Sequence, residues 1–164
     1  MNFFNVFGIN QPHFFIDSKD LKKTYIELQK QSHPDRFASA SEHEQNAALL
    51  KSSLINDAFE VLSDDLKRAK YILECKEIPL SNATRNEFLI EQMELEESLE
   101  ENNNNLQELK LLLDKTNIKF NENLDTLRNH FEAGNFDSIS SMVNELVFLQ
   151  RFTIKIKDRI NKII

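Results

Sequence analysis

The amino-acid sequence predicts an all-α protein of two helical domains, and three observations carry that expectation. Only two glycines and three prolines occur in 164 residues, so few positions interrupt a helix. Leu, Glu and Lys, all helix formers, are abundant. Apolar residues recur at steps of three and four, the spacing of a helix with one buried face. They make up 40% of the chain, enough for a core, yet no apolar stretch approaches the roughly twenty residues that span a bilayer.

The chain opens on the short apolar run Phe3-Phe4-Asn5-Val6-Phe7-Gly8. A basic amphipathic helix follows, with Ser18 as the expected N-cap and Leu21, Tyr25 and Leu28 on one stripe. Lys19, Lys22, Lys23 and Lys30 lie mostly off that stripe. Pro34 ends the helix, because proline lacks an N–H and pushes the preceding residue out of the helical region. A second helix starts near Ser41 and turns Leu50, Leu54, Ile55, Ala58, Phe59 and Leu62 toward the first. Two antiparallel helices then hold His33-Pro34-Asp35 in the loop at one end. A short further helix carries Arg68-Ala69-Lys70-Tyr71.

Ile78-Pro79-Leu80-Ser81-Asn82-Ala83 is the expected boundary, a proline followed by small polar residues between two helical patterns. Residues 1–76 form the first domain, 77–83 a linker and 84–164 a three-helix domain. Its helices are expected at about Thr84–Glu101, Leu106–Ala133 and Asp137–Ile163. The middle helix has a stripe through Leu109, Leu113, Thr116, Phe120, Leu124, Leu127 and Phe131, with Gly134 as its stop. The last carries Met142, Leu146, Leu149, Thr153, Ile156, Ile160 and Ile163. Long helices joined by a short turn make an antiparallel hairpin, and the first helix packs across it. Asn102-Asn103-Asn104-Asn105 reads as a solvated loop.

Acidic residues outnumber basic ones by seven, which argues against general nucleic-acid binding. Catalytic signatures are weak. His43-Glu44 begins a zincin-like pattern without its second histidine, and the lone Cys75 and four histidines suggest no metal cluster. His33 and Asp35 bracket a proline with no nucleophile beside them, a poor acid–base dyad. No bound cofactor is expected. A single cysteine fits a reducing compartment.

The placement of His33-Pro34-Asp35 after a basic helix and before the helix ending Ile55-Asn56-Asp57-Ala58-Phe59-Glu60-Val61-Leu62 resembles a J domain over residues 2–74. In J proteins this loop and the basic face beside it engage a seventy-kilodalton heat-shock chaperone and trigger its ATP hydrolysis. The resemblance implies that His33, Pro34 and Asp35 form the contact, with Lys22, Lys23, Lys30 and Arg36 steering the encounter. Taken alone, each reads better as something plainer, the tripeptide as a turn with an Asx-type bond from Asp35 and the lysines as an ordinary solvated face. Ser32 stands where many J domains carry an aromatic residue, an expected weakening of the packing under the loop.

The run Phe88-Leu89-Ile90-Glu91-Gln92-Met93-Glu94-Leu95-Glu96-Glu97-Ser98-Leu99-Glu100-Glu101, with Val147-Phe148-Leu149, resembles the HscB family of iron–sulfur co-chaperones, and the similarity spans the chain. At about 100° per residue, Phe88, Leu95 and Leu99 share one line. Leu89, Ile90 and Met93 turn away from it, followed by Glu94, Glu97 and Glu101. Phe148 falls about 110° from the stripe of its own helix. These residues are either a protein-binding patch or the edge of a wide core face. The resemblance implies the patch: in HscB the matching positions bind the scaffold IscU, which carries over to Leu89, Ile90, Met93, Glu94, Glu97, Glu101 and Phe148, with Ile90 where methionine is common. It also implies an L-shaped molecule that stimulates an HscA-type chaperone. With no cysteine motif before the J domain and no transit peptide, a bacterial cytoplasmic form is expected. A J protein serving another client, or a helical adapter with no chaperone link, would share much of this sequence pattern.

Overall fold

A computed structural model describes residues 2–80 and 85–164, with Pro34 described in its backbone alone. Every regular element among them is helical, and the chain packs as two compact units, Met1–Lys76 and Glu77–Ile164. The expected linker 77–83 and the expected helix start at Thr84 fall partly on residues 81–84, outside the described residues.

The first unit holds α1 (Phe3–Val6), α2 (Ser18–Ser32), α3 (Glu42–Ser63) and α4 (Asp65–Cys75). The cap of α2 is Asp17 rather than Ser18. Its carboxylate accepts from the N–H groups of Lys19 and Asp20, at 2.8 and 3.1 Å, and an acid there also suits the positive end of the helix dipole. At α3, Ser41 and Glu44 form a capping box in which each side chain bonds the other's backbone N–H, satisfying two otherwise orphaned donors. Ile55, Ala58 and Leu62 are buried along α3 with Ala48, and Leu54 and Phe59 are half-buried. Leu50 corrects the sequence reading: it is 72% exposed. Counting about 100° per residue, Ala48 lies about 20° from Ile55 and Leu50 about 140° away, so angle outweighs side-chain size.

Arg68 of α4 is a buried anchor. Its guanidinium donates to the carbonyls of Phe14 (2.7 Å) and Leu62 (2.6 Å), pairs with Asp65 and stacks over the Phe14 ring. A buried charge survives only when so completely satisfied. It ties the segment between α1 and α2 to the end of α3.

The second unit is α5 (Asn86–Glu101), α6 (Leu106–Ala133) and α7 (Phe136–Ile163). The α6 and α7 helices form the long hairpin, and Gly134 closes α6 in the left-handed conformation, φ 67°, where a side chain would be strained. The α5 helix adds Phe88, Leu95 and Leu99 to a core with Leu109, Leu112, Leu149, Phe152, Ile156 and Ile160. Ile163, on the expected stripe of α7, is exposed at its end.

Candidate functional site

Two surfaces carry the residues singled out by sequence. In the first unit, α2 ends at Ser32 and His33 turns extended, φ −60° and ψ 129°. A single 3-10 turn follows over Pro34–Phe37, and proline loses nothing at its start because that N–H has no partner to give. The backbone N–H of Arg36 closes the turn on the His33 carbonyl at 3.0 Å.

Within this turn His33 Nδ1 accepts from the Asp35 N–H at 3.3 Å. The same nitrogen lies 3.5 Å from Asp35 Oδ2, a contact that is ionic only when the imidazole is protonated. The Asp35 side chain is 89% exposed, so its carboxylate faces solvent. Arg36 is more than a surface charge: its Nη1 donates to the Lys30 carbonyl at 3.0 Å, capping the C-terminal end of α2. Lys22, Lys23 and Lys30 are exposed. Ser32 is buried, and its hydroxyl donates to the Leu28 carbonyl at 2.9 Å, so no polar atom is stranded beneath the loop.

Sequence reasoning missed the clasp that holds this end of the hairpin. Asn56 Oδ1 accepts from Tyr25 Oη at 2.9 Å and Gln29 Nε2 at 2.6 Å, and Gln29 Oε1 accepts from Ser52 Oγ at 2.9 Å. Tyr25 also stacks on Phe59, ring centroids 4.2 Å apart. One available signal was Gln29 itself, four residues after Tyr25 and so on the same helix face.

On α5, helical angle predicts the outcome well. Phe88, Leu95 and Leu99 are buried, while Leu89, Ile90 and Met93 are 44, 59 and 73% exposed. The acidic residues divide by side. Glu91 pairs with Lys119 of α6 at 3.0 Å, Glu96 with Lys155 of α7, and Glu100 with Arg159 of α7 at 3.2 Å. Glu94, Glu97 and Glu101 project beside the apolar trio, exposed and without an ion pair among the described residues. The α5 flanks are therefore neutralised and its outer face is left acidic.

Phe148 departs from the expectation that it lies outside the core. It is half-buried, stacked on Phe152 at 5.6 Å and edge-on to Phe88 at 5.8 Å. The physical reason is that α7 is packed by α5 as well as α6, which widens its buried face well beyond one stripe. Phe152 is buried with α5 on that widened face, and Ile139, Val143 and Glu145 are buried elsewhere on α7; none of the four was expected in the core.

Among the described residues no group of histidine, cysteine and carboxylate side chains is placed to hold a metal, and no helix is long and apolar enough to cross a membrane.

The DnaJ domain family matches residues 2–71, and the HSCB C-terminal oligomerisation domain family matches residues 84–157. A co-chaperone protein HscB homolog of Colwellia psychrerythraea is 34% identical over 166 residues, covering 95% of this chain and 94% of that protein. The chain belongs to the HscB co-chaperone family. A Neisseria meningitidis HscB homolog is 36% identical over 155 residues, 91% of this chain and 93% of its own length. Among solved structures, chaperone HscB from Vibrio cholerae superposes with TM-score 0.82 at 28% identity, covering all of both chains. Human co-chaperone HscB gives TM-score 0.84 at 28% identity, over 96% of this chain and 81% of that one.

As a J-domain co-chaperone of the HscB family, the chain has a seventy-kilodalton heat-shock-type chaperone as its class of partner. The structure brings His33, Asp35, Lys30 and Arg36 together at one end of the α2–α3 hairpin, with Lys22 and Lys23 on earlier turns of α2. It gathers Leu89, Ile90, Met93, Glu94, Glu97 and Glu101 on one side of α5, with Phe148 against the inner side of that helix through Phe88.

Proposed function

We propose that this HscB-family chain stimulates the ATPase of an HscA-type chaperone and delivers the iron–sulfur scaffold IscU to it for cluster transfer, in the bacterial cytoplasm. The chaperone contact is His33, Pro34 and Asp35, with Lys22, Lys23, Lys30 and Arg36 as its basic surround. The scaffold contact is Leu89, Ile90, Met93, Glu94, Glu97 and Glu101, with Phe148 supporting them from within. The cluster is cargo and the nucleotide belongs to the chaperone.

The observation that carries this reading is the outer face of α5, where three large apolar side chains stand in solvent beside three carboxylates that have no ion pair among the described residues. An apolar centre with a charged rim is the anatomy of a protein interface. It suits a partner with its own apolar patch set among lysines or arginines. On the other unit, the exposed Asp35 carboxylate suits a charge-assisted bond to an arginine of the chaperone, and the nearby lysines favour encounter with an acidic surface.

The experiment is steady-state ATP hydrolysis by the cognate chaperone, with this chain added alone and together with IscU. The chain alone is expected to raise turnover, and IscU added with it to raise turnover further. Stimulation indifferent to IscU would mean that the client is another protein, and no stimulation would remove the chaperone link.

A further inference from the structure

The most unusual residue of the second unit is Glu145, 1% exposed on the face of α7 that also buries Met142, Leu146 and Leu149. Burying a carboxylate is costly unless its charge and hydrogen bonds are met. Here they are met from two sides. Arg85 delivers a fork, Nε to Oε1 and Nη2 to Oε2, both at 2.7 Å, and Asn123 of α6 adds Nδ2 to Oε2 at 3.3 Å.

Arg85 is the N-cap of α5, yet it makes no side-chain cap hydrogen bond. Serine, threonine, aspartate or asparagine usually fills this position and bonds the first N–H groups, whereas a guanidinium has no acceptor to offer. The first turn is held by other means. The Arg85 carbonyl accepts the N–H of Leu89 at 3.1 Å, so the residue clamped to Glu145 is the one on which the helix hydrogen bond of Leu89 closes. The chain just upstream is tied to the same helix, since Ser140 Oγ donates to the Pro79 carbonyl at 2.8 Å.

We infer that Glu145 is a positioning residue for the client face: through Arg85 it fixes the first turn of α5, and with it the direction of Leu89 and Ile90. An apolar pair would hold α5 to α7 at lower desolvation cost. What the fork adds is geometry, because two parallel bonds to a planar group set direction as well as distance. Phe88 anchors the first turn in the core and the fork sets how that turn is rotated about it, whereas Met93, a turn further on and flanked by the buried Leu95 and Leu99, depends less on the clamp. The inference rests on the reading of the outer face of α5 as the client surface.

The test pairs amide hydrogen exchange of the free chain with calorimetric titration of purified IscU, using Arg85→Gln, which alters the exposed end of the pair. Exchange at Leu89 is expected to quicken by about tenfold or more, with Leu95 and Leu99 unchanged. Affinity for IscU is expected to fall about three- to tenfold. Adding Leu89→Ala to Arg85→Gln should then cost little more, whereas adding Met93→Ala should keep its full effect. If Arg85→Gln does not fold, Arg85→Gln with Glu145→Gln removes both charges, keeps amides in place and is measured the same way. Unchanged exchange at Leu89 in a folded variant overturns the inference, as does full additivity of the Leu89 change. If Leu89→Ala and Met93→Ala both leave IscU affinity intact, the client reading fails and takes the inference with it, whatever exchange at Leu89 does.

Discussion

Met93→Ala separates binding from folding more cleanly than any other change on α5. Complete burial of a methionine side chain is worth about 1.5 to 3 kcal/mol. Met93 is 73% exposed in the free chain, so only about a quarter of that, below about 0.8 kcal/mol, is at stake in folding. The rest becomes available only when a partner covers the face. If Met93 lies at the centre of the interface, its truncation weakens IscU binding by about 1 to 2 kcal/mol, roughly five- to thirtyfold. Leu95→Ala is the opposite case. At 7% exposure it creates a cavity and costs about 2 to 5 kcal/mol of stability. Phe148→Ala belongs with Leu95, because it removes two ring contacts of the core; an affinity loss there reports displaced packing rather than a lost contact. Thermal melts beside calorimetric titration with IscU decide the matter. A melting loss at Met93 comparable to that at Leu95, or undiminished affinity after Leu89 and Met93 are both truncated, would refute the argument.

Asp35→Asn keeps the shape of an 89% exposed side chain and removes its charge; chaperone stimulation should be lost while helicity and IscU binding are retained, as circular dichroism and the ATPase assay would report. Raising salt from about 50 to 200 mM should slow association with the chaperone, because screening shortens to roughly 8 Å near physiological strength, and Lys22→Glu with Lys23→Glu should reproduce the slowing at low salt in stopped-flow traces. At α3, hydrogen bonds from Ser41 hold the Glu44 carboxyl below its usual value. A depressed folded value contributes stability that is present above the unfolded pKa, about 4.3, and is lost as pH falls through the folded one. Glu44→Gln should therefore flatten that part of the acid-unfolding profile, measured as melting temperature against pH.

Helix limits were legible where a cap has a chemical signature, as at Ser41 with Glu44 and at Gly134. At α2 two good caps stand side by side, and sequence alone had no reason to prefer Asp17 over Ser18. The outward turn of Leu89, Ile90 and Met93 followed from angle because α5 packs on one side only. The same arithmetic misplaced Phe148, since it assumes a single stripe while α7 is packed by two helices. Glu145 was hidden for a related reason. A glutamate directly after Asn144 reads as a solvent position until Arg85, sixty residues earlier in the sequence, is seen to reach it. Long-range polar pairs of this kind, like Gln29 with Ser52 and Asn56, leave no period in the sequence to detect.

Net charge says little about how such a chain chooses partners, and charge placement says more. The residues 1–83 carry ten basic and twelve acidic side chains, nearly balanced, yet Lys22, Lys23 and Lys30 all stand exposed on α2. On α5 the opposite selection operates: Glu91, Glu96 and Glu100 pair with cations of neighbouring helices, while Glu94, Glu97 and Glu101 have no ion pair among the described residues. On the proposed function, surfaces of opposite sign on two separate units would attract different partners at long range and repel the wrong one, which is where rim charges act most strongly. Reversing Glu94, Glu97 and Glu101 to lysine should therefore slow IscU association and leave chaperone stimulation by the chain alone unchanged. If the triple reversal instead lowers that stimulation as strongly as reversal of Lys22 and Lys23, the two charge clusters do not serve separate partners.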